Sequence, residues 1–491
     1  MADETAFLSI AEAALRLRSG ELSPVELVEA SLAQIDAHDA RLNAWLYLDR
    51  AGALAAAEAA AHELRAGRNS NPLLGVPVGI KDLFDVAGMP TTWNSRLPRE
   101  PRAAADAAVS ASLRANGAIL LGKLAAWECG VGGVSFTLPW PPTRNPWALD
   151  RDPGGSSSGS AAAVAAGMCF GAVGSDTGGS IREPASWCGV VGLKPTLGLV
   201  SGEGGLAASL GFDHIGPMAR TSEDCALMLD AMTAGGSAAA TLSAGVQGLR
   251  IGVVDLSGEE RLDLAPEVAG AVETAAEALA RAGARLAPVR LPRLEIFNAV
   301  VAVAAAAEGY TLHRRSLAES SHLYDPLTRR RLRVGARIQA PDYIDALVAR
   351  QRLTRSLAGI FADHDLLLMP TTRTSAPILG GFDSHSGHPS LCRPWNVTGH
   401  PALSLPCGLS HAGLPLAVQI IARPGNDALA LDAGHALEMQ LGPRTRAHDP
   451  TLFAPAALAI VAIVDEEAAI DELARLTEFS AALLRGAAAI Q

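Results

Sequence analysis

Cysteine is scarce in this 491-residue chain, and none of its six cysteines forms a C-x-x-C pair. Cys129, Cys169, Cys188, Cys225, Cys392 and Cys407 are scattered through apolar sequence, as expected of reduced core thiols rather than a disulfide framework. The twelve histidines supply no H-E-x-x-H or comparable ligand spacing, so neither a metal nor another cofactor is expected. A basic excess is missing too: 40 Lys and Arg face 51 Asp and Glu, a net charge of −11. That balance offers no electrostatic footprint for nucleic acid and no attraction to anionic membranes, and neither is expected as a partner. Long apolar runs are also lacking, since Phe297 to Ala307 and Ala454 to Val464 fall well short of the roughly 20 residues that span a bilayer. The opening MADETAFLSI shows no basic region followed by an apolar core and a cleavage site, so no signal peptide is evident and a cytoplasmic location is expected.

What is present fits a large enzyme, with 49% hydrophobic and 19% charged residues. Ser23-Pro24-Val25-Glu26 is a capping box with proline at the first helical position, predicting a helix through about Ala37. Strands are predicted at Val76 to Ile80, Ala118 to Leu121, Ile251 to Val254, Leu366 to Met369, Ala402 to Leu405 and Leu416 to Ile421. Their alternation with helical segments predicts an α/β fold, a mixed central β-sheet covered by helices on both faces. Alanine-rich sequence from about 235 to 350 is read as a helical layer over the pocket. Near the C-terminus, Ile470, Leu473, Leu476, Ser480 and Leu483 share a period of 3 to 4 residues, an amphipathic helix that packs on the core or on a second protomer, so that a homo-oligomer is one open assembly.

Three separated segments carry chemistry. In Asp176-Thr177-Gly178-Gly179-Ser180, two glycines free the backbone so that the N–H groups of Thr177, Gly178, Gly179 and Ser180 can converge on one oxygen, an oxyanion hole. The run Gly154 to Ser160 feeds an alanine-rich helix and so places its serines at a helix N-terminus. Within it, Gly155-Ser156-Ser157-Ser158-Gly159 also fits the G-x-S-x-G elbow, which would make Ser157 the nucleophile. That elbow needs a strand immediately before it, whereas Arg144 to Pro153 is polar and broken by proline. Third, Lys81 ends the apolar run Gly75 to Ile80. Carried inward there it would be desolvated and favour its neutral, basic form.

In this order the three segments resemble the amidase signature family. The matching stretches are Asn145-Pro146-Trp147, Pro153 to Gly167, SDTGGSIREPASWCGVVGLKPTLG from Ser175 to Gly198, and His214 to Arg220. The likeness resumes at Asp365 to Thr372 and Asn396 to Gln419, covering roughly Phe7 to Gly442. It implies one amidase signature domain over residues 1–445, with a signature core at about 70–220 and a helical appendage at 446–491. It further implies Ser180 as nucleophile, Ser156 as a bridging serine on a cis peptide and Lys81 as general base. Ser157, Asp176 and Arg182 would support them, and Cys129, Gly130 and Val131 would lie against the scissile group. Ser158, Ser175 and Glu183 depart from the family pattern without removing a catalytic group.

The expected function is hydrolysis of the C–N bond of an uncharged amide through an acyl-enzyme on Ser180, with aryl amides and carbamates in range and a small molecule as the only substrate. One alternative is the glutaminase subunit of a tRNA-dependent amidotransferase. The stretch LGLVSGEGGLAASLGFDHIGP after Lys194-Pro195-Thr196 lacks the tyrosine-glycine pattern expected of that subunit. The other alternative is a non-catalytic binding protein of amidase-like fold.

Overall fold

Ser23 opens its helix as the capping box predicts: its hydroxyl accepts from the Glu26 N–H at 3.2 Å, and the Glu26 carboxylate accepts from the Ser23 N–H at 2.7 Å. The helix Pro24–Leu42 runs past Ala37 and stops at Asn43, whose left-handed φ of 54° turns the chain. The computed structural model describes residues 2–68, 71–233, 235–242, 245–259, 262–381, 389–443, 475 and 477–485.

Among them, one mixed sheet of eleven strands organises the chain. In chain order these are β1 (Trp45–Leu48), β2 (Pro77–Lys81), β3 (Ile119–Leu124), β4 (Gly171–Asp176), β5 (Val191–Lys194), β6 (His214–Ala219), β7 (Arg250–Val254), β8 (Arg285–Val289), β9 (Leu366–Pro370), β10 (Ala402–Leu409) and β11 (Pro415–Ala422). Their spatial order is β1-β3-β2-β4-β6-β5-β10-β11-β9-β7-β8. β2 lies parallel to both β3 and β4, and β7 lies parallel to β8 and β9, while the remaining neighbours pair antiparallel.

Every residue of β2, β3, β9 and β11 is buried, as continuous apolar strands covered on both faces should be. Alternation along β2, β3 and β4 sorts side chains into separate cores: Val78, Ile80, Leu120 and Val173 join one cluster, and Ile119, Leu121 and Ala172 another. The predicted strands all form, within a few residues of their expected ends. β1, β4, β5, β6 and β8 come in addition to them.

The apolar run Phe297 to Ala307 belongs to a longer helix, Leu294–Ser320. It is the one helix among the described residues long and apolar enough to cross a membrane, and just over half of its most apolar stretch is buried inside the protein. Phe297, Val300 and Ala304 pack with Phe361, Leu357 and Trp395 into a third core cluster. Of the tail stripe, Ile470, Leu473 and Leu476 lie outside the described residues. Ser480 and Leu483 fall in a helical stretch over 477–485 and are half-buried, while Ala481 and Leu484 are buried against the third cluster.

Candidate active site

Lys81 closes β2 with no exposed surface. Among the described residues its Nζ meets no carboxylate at hydrogen-bonding distance but donates to three hydroxyls: Ser156 Oγ at 2.8 Å, Ser157 Oγ at 2.9 Å and Ser175 Oγ at 2.9 Å. Burial pulls its pKa down to about 7, against the opposing pull of the Asp213 and Asp176 charges. At neutral pH this amine is therefore poised between its charged and neutral forms, the condition for a general base.

Ser156 follows a cis peptide bond from Gly155, beside the N-terminus of the helix Ser158–Ala165. Gly155 is required there, because a Cβ would fall 2.1 Å from the Trp127 ring. The Ser157 N–H donates to the carbonyl of Ser180 at 3.2 Å, tying the two serine segments together. No strand precedes the elbow-like sequence, where only isolated bridges involve Asn145, Ala148 and Arg151. Ser157 itself is buried, spent on Lys81 and on the Ser175 carbonyl at 3.2 Å.

Ser180 sits on the turn that leaves β4, and Asp176 holds that turn. Its carboxylate accepts from Gly179 N–H at 2.7 Å and Ile181 N–H at 3.2 Å, and from Arg182 Nε at 3.0 Å and Nη2 at 3.1 Å. Asn396 adds a bond at 2.8 Å. Burial pushes the Asp176 pKa up, but the Arg182 guanidinium and the Asn396 amide outweigh it and hold the carboxyl well below the usual range. Arg182, fully buried, is itself anchored to the Cys392 carbonyl, Gln419 and Asn396.

Thr177, Gly178, Gly179 and Ser180 line a cavity of about 160 Å³ together with Gly130, Val131 and the helix residues Val301, Ala302, Ala305 and Ala306. Cys129, predicted to share that lining, is not among the residues that line it and is buried with Leu97, Tyr324 and Leu332. Trp147 is core, Trp140 lines a different cleft and Phe136 is largely exposed.

Sequence reasoning missed several contributors. Asp213 accepts from the Thr177 hydroxyl at 2.5 Å and from the Ala208 N–H at 2.7 Å, bracing the same turn from the far side. Arg331, Arg393 and Glu183 all reach the cavity. Glu183 lies within the signature stretch, but Arg331 and Arg393 come from positions far from it in the chain, and no local motif announces them.

The family profile described as Amidase matches residues 26–431. The chain belongs to the amidase signature family. A curated relative from Chloroflexus aggregans, a subunit of glutamyl-tRNA(Gln) amidotransferase, is 38% identical over 91% of this chain and 99% of its own length. Among solved structures, a protein from work on a vestigial complex and the origins of an s-triazine catabolic enzyme is 36% identical over 88% of this chain and 98% of its own, with a TM-score of 0.81. The native peptide amidase of Stenotrophomonas maltophilia is 30% identical over 90% of this chain and 99% of its own, with a TM-score of 0.78. As a family member the chain is an enzyme of amide C–N bond hydrolysis. One expectation is overturned: a relative named as part of an enzyme of glutamyl-tRNA contradicts the exclusion of nucleic acid and of any substrate beyond a small molecule. Net charge misleads here because it describes one chain's own surface and says nothing of what an assembly containing that chain would bind.

Proposed function

We propose that this chain is the amide-hydrolysing subunit of a tRNA-dependent amidotransferase, releasing ammonia from a carboxamide through an acyl-enzyme on Ser180. The observation that carries the chemistry is the 2.8 Å contact of a buried, base-like Lys81 with Ser156, beside the turn that bears Ser180. Near-full-length similarity to the Chloroflexus aggregans protein supports the assembly. That reading places the protein in the cytoplasm, where charged tRNA is found.

In the first half-reaction Ser180 Oγ attacks the amide carbon, its proton passes to Ser156 Oγ, and the Ser156 proton passes to neutral Lys81 Nζ. The oxyanion is received by N–H groups of Thr177, Gly178 and Ser180. The N–H of Gly179, expected among them, is already held by Asp176 and braces the turn instead. As the C–N bond breaks, the proton returns from Lys81 through Ser156 to the leaving nitrogen, which departs as ammonia. Water then attacks the acyl-enzyme under the same base, and Ser180 regains its proton.

A stand-alone amidase is the second reading, favoured by the sequence after Thr196, which lacks the expected tyrosine-glycine pattern. Ammonia release from glutamine is measured with the purified chain alone and again with amidotransferase companion subunits and glutamyl-tRNA. A rise on adding them supports the amidotransferase reading, whereas full turnover alone with no response supports the second. Wild-type turnover by Ser180→Ala overturns both.

A further inference from the structure

The helix Leu294–Ser320 does more than wall the Ser180 cavity. Val301, Ala302, Ala305, Ala306 and Gly309 form that wall, whereas Glu308, which is not among the lining residues, is buried at 7% exposure. A buried carboxylate needs partners, and those of Glu308 come from two other elements. It accepts from the Ser209 hydroxyl, from the Gly211 N–H at 3.1 Å, and from the hydroxyl of Tyr343 on the helix Ala340–Asp363 at 3.0 Å. Arg350 of that second helix closes the clamp: its Cζ lies 4.8 Å from the centre of the Phe212 ring, and its Nε donates to the Val397 carbonyl at 2.8 Å. A Cβ on Gly211 would stand 3.1 Å from Arg350 Nη1 and 3.3 Å from Glu308 Oε1, so the backbone passes close against both.

The clamp holds the loop Ala208 to Asp213, which leads into β6. Leu210 at its tip is 72% exposed, so polar contacts rather than burial fix the tip. At the far end Asp213 accepts from the N–H groups of Ala208 at 2.7 Å and Ser209 at 3.2 Å, and from the Thr177 hydroxyl of the nucleophile turn. Ser209 is thus bonded to both carboxylates, through its N–H to Asp213 and through its hydroxyl to Glu308. Burial pushes the Asp213 pKa up to about 6, which leaves it charged near neutrality. Burial lowers the Lys81 pKa, and the charge of Asp213, followed by that of Asp176, opposes the fall.

Resting on the reading of Lys81 as the base, we propose that Glu308 is a positioning residue acting through this loop: by holding Ser209 and Gly211 it keeps the Asp213 carboxylate fixed beside the nucleophile turn. Its own bonds go to Ser209, Gly211 and Tyr343, none of which is a catalytic group. Without it the remaining groups around the loop are Tyr343 and Arg350 of the second helix and His214 of β6, whose Nδ1 donates to the Phe212 carbonyl at 2.7 Å. None of these replaces the lost acceptor. Asp213 then leaves its fixed place, and protonated Lys81 loses part of its support.

The test reads Lys81 itself. Its ¹³Cε resonance is titrated in the lysine-labelled whole chain, with thermal melts to verify that each variant is folded. Glu308→Ala is expected to lower the midpoint by about half a unit to one unit. Glu308→Gln keeps an acceptor oxygen for Ser209 and Gly211 and should hold the midpoint near that of the parent. In an Asp213→Asn background Glu308→Ala should add little, because both act through one carboxylate. Ser209→Ala removes one of the loop's two bonds to Glu308 and should give a smaller shift of the same sign, which carries the test if Glu308→Ala does not fold. An unmoved midpoint in the folded variant, an equal shift in Glu308→Gln, or full additivity with Asp213→Asn overturns the inference. Turnover is read separately: an inactive parent whose Lys81 midpoint still follows Glu308 counts against the hydrolase reading alone, and an active parent whose midpoint ignores Glu308 counts against this inference alone.

Discussion

Lys81 and Lys123 stand on neighbouring parallel strands, one residue apart in register, and both are fully buried. Lys123 donates to the Asp82 carboxylate at 2.9 Å and to Thr91 Oγ1 at 2.7 Å, forming an ion pair with no exposed surface. Lys81 is given three serine hydroxyls instead. Burial lowers the pKa of both, but Lys123 has a carboxylate in contact to keep it charged, whereas the carboxylates that act on Lys81 do so from beyond hydrogen-bonding distance. One fold thus holds the same residue type in two surroundings, as an ion-paired cation and, in the proposed mechanism, as a base, and the first contact separates them.

The largest expected effect falls on the base side of that comparison. Ser180→Ala or Lys81→Ala lowers kcat/KM by about 10⁴-fold or more, and the double variant loses little further, because both act on one proton path. Steady-state kinetics on folded variants checks this, and independent, multiplying losses would break it.

On the structural side, Lys123→Ala leaves Asp82 buried without its cation and should cost about 3 to 5 kcal/mol of stability. Denaturant unfolding measures it. Any folded remainder should keep the pH profile of the parent, since Lys123 does not face the serines.

Much of this was legible in sequence, and the reasons for the rest are physical. The segments of Lys81, Ser156 and Ser180 could be read because glycines and serines cluster where the backbone must turn sharply. β4 was invisible because GAVGSD has weak strand propensity. Its glycines answer to tertiary crowding: a Cβ at Gly174 would lie 2.9 Å from Ile181 and 3.0 Å from Ser157 Oγ. β6 carries Pro217 inside the sheet, which argues locally against a strand. Arg331 and Arg393 went unread for a similar reason, since they reach the cavity from positions far apart in the chain.

A smaller effect concerns tuning. The kcat/KM of the parent should rise with pH through about 7, because Lys81 is active in its neutral form, which predominates above its pKa. Asp213 raises that pKa, so Asp213→Asn should move the midpoint to lower pH. A shift the other way would remove Asp213 from the account.

The smallest expected effect is that of Ser157→Ala, which deletes one of the three hydroxyls around Lys81 and should lower kcat by about tenfold, far less than Ser180→Ala. The reverse ranking would favour Ser157 as nucleophile.

The central claim is that Lys81, lacking a carboxylate in contact, is a base near neutrality. It is tested most directly by titrating its ¹³Cε resonance in lysine-labelled protein, assigned with Lys81→Met. The account predicts a midpoint near 7, and a Lys81 that stays protonated up to the ordinary lysine range near 10.5 would contradict it.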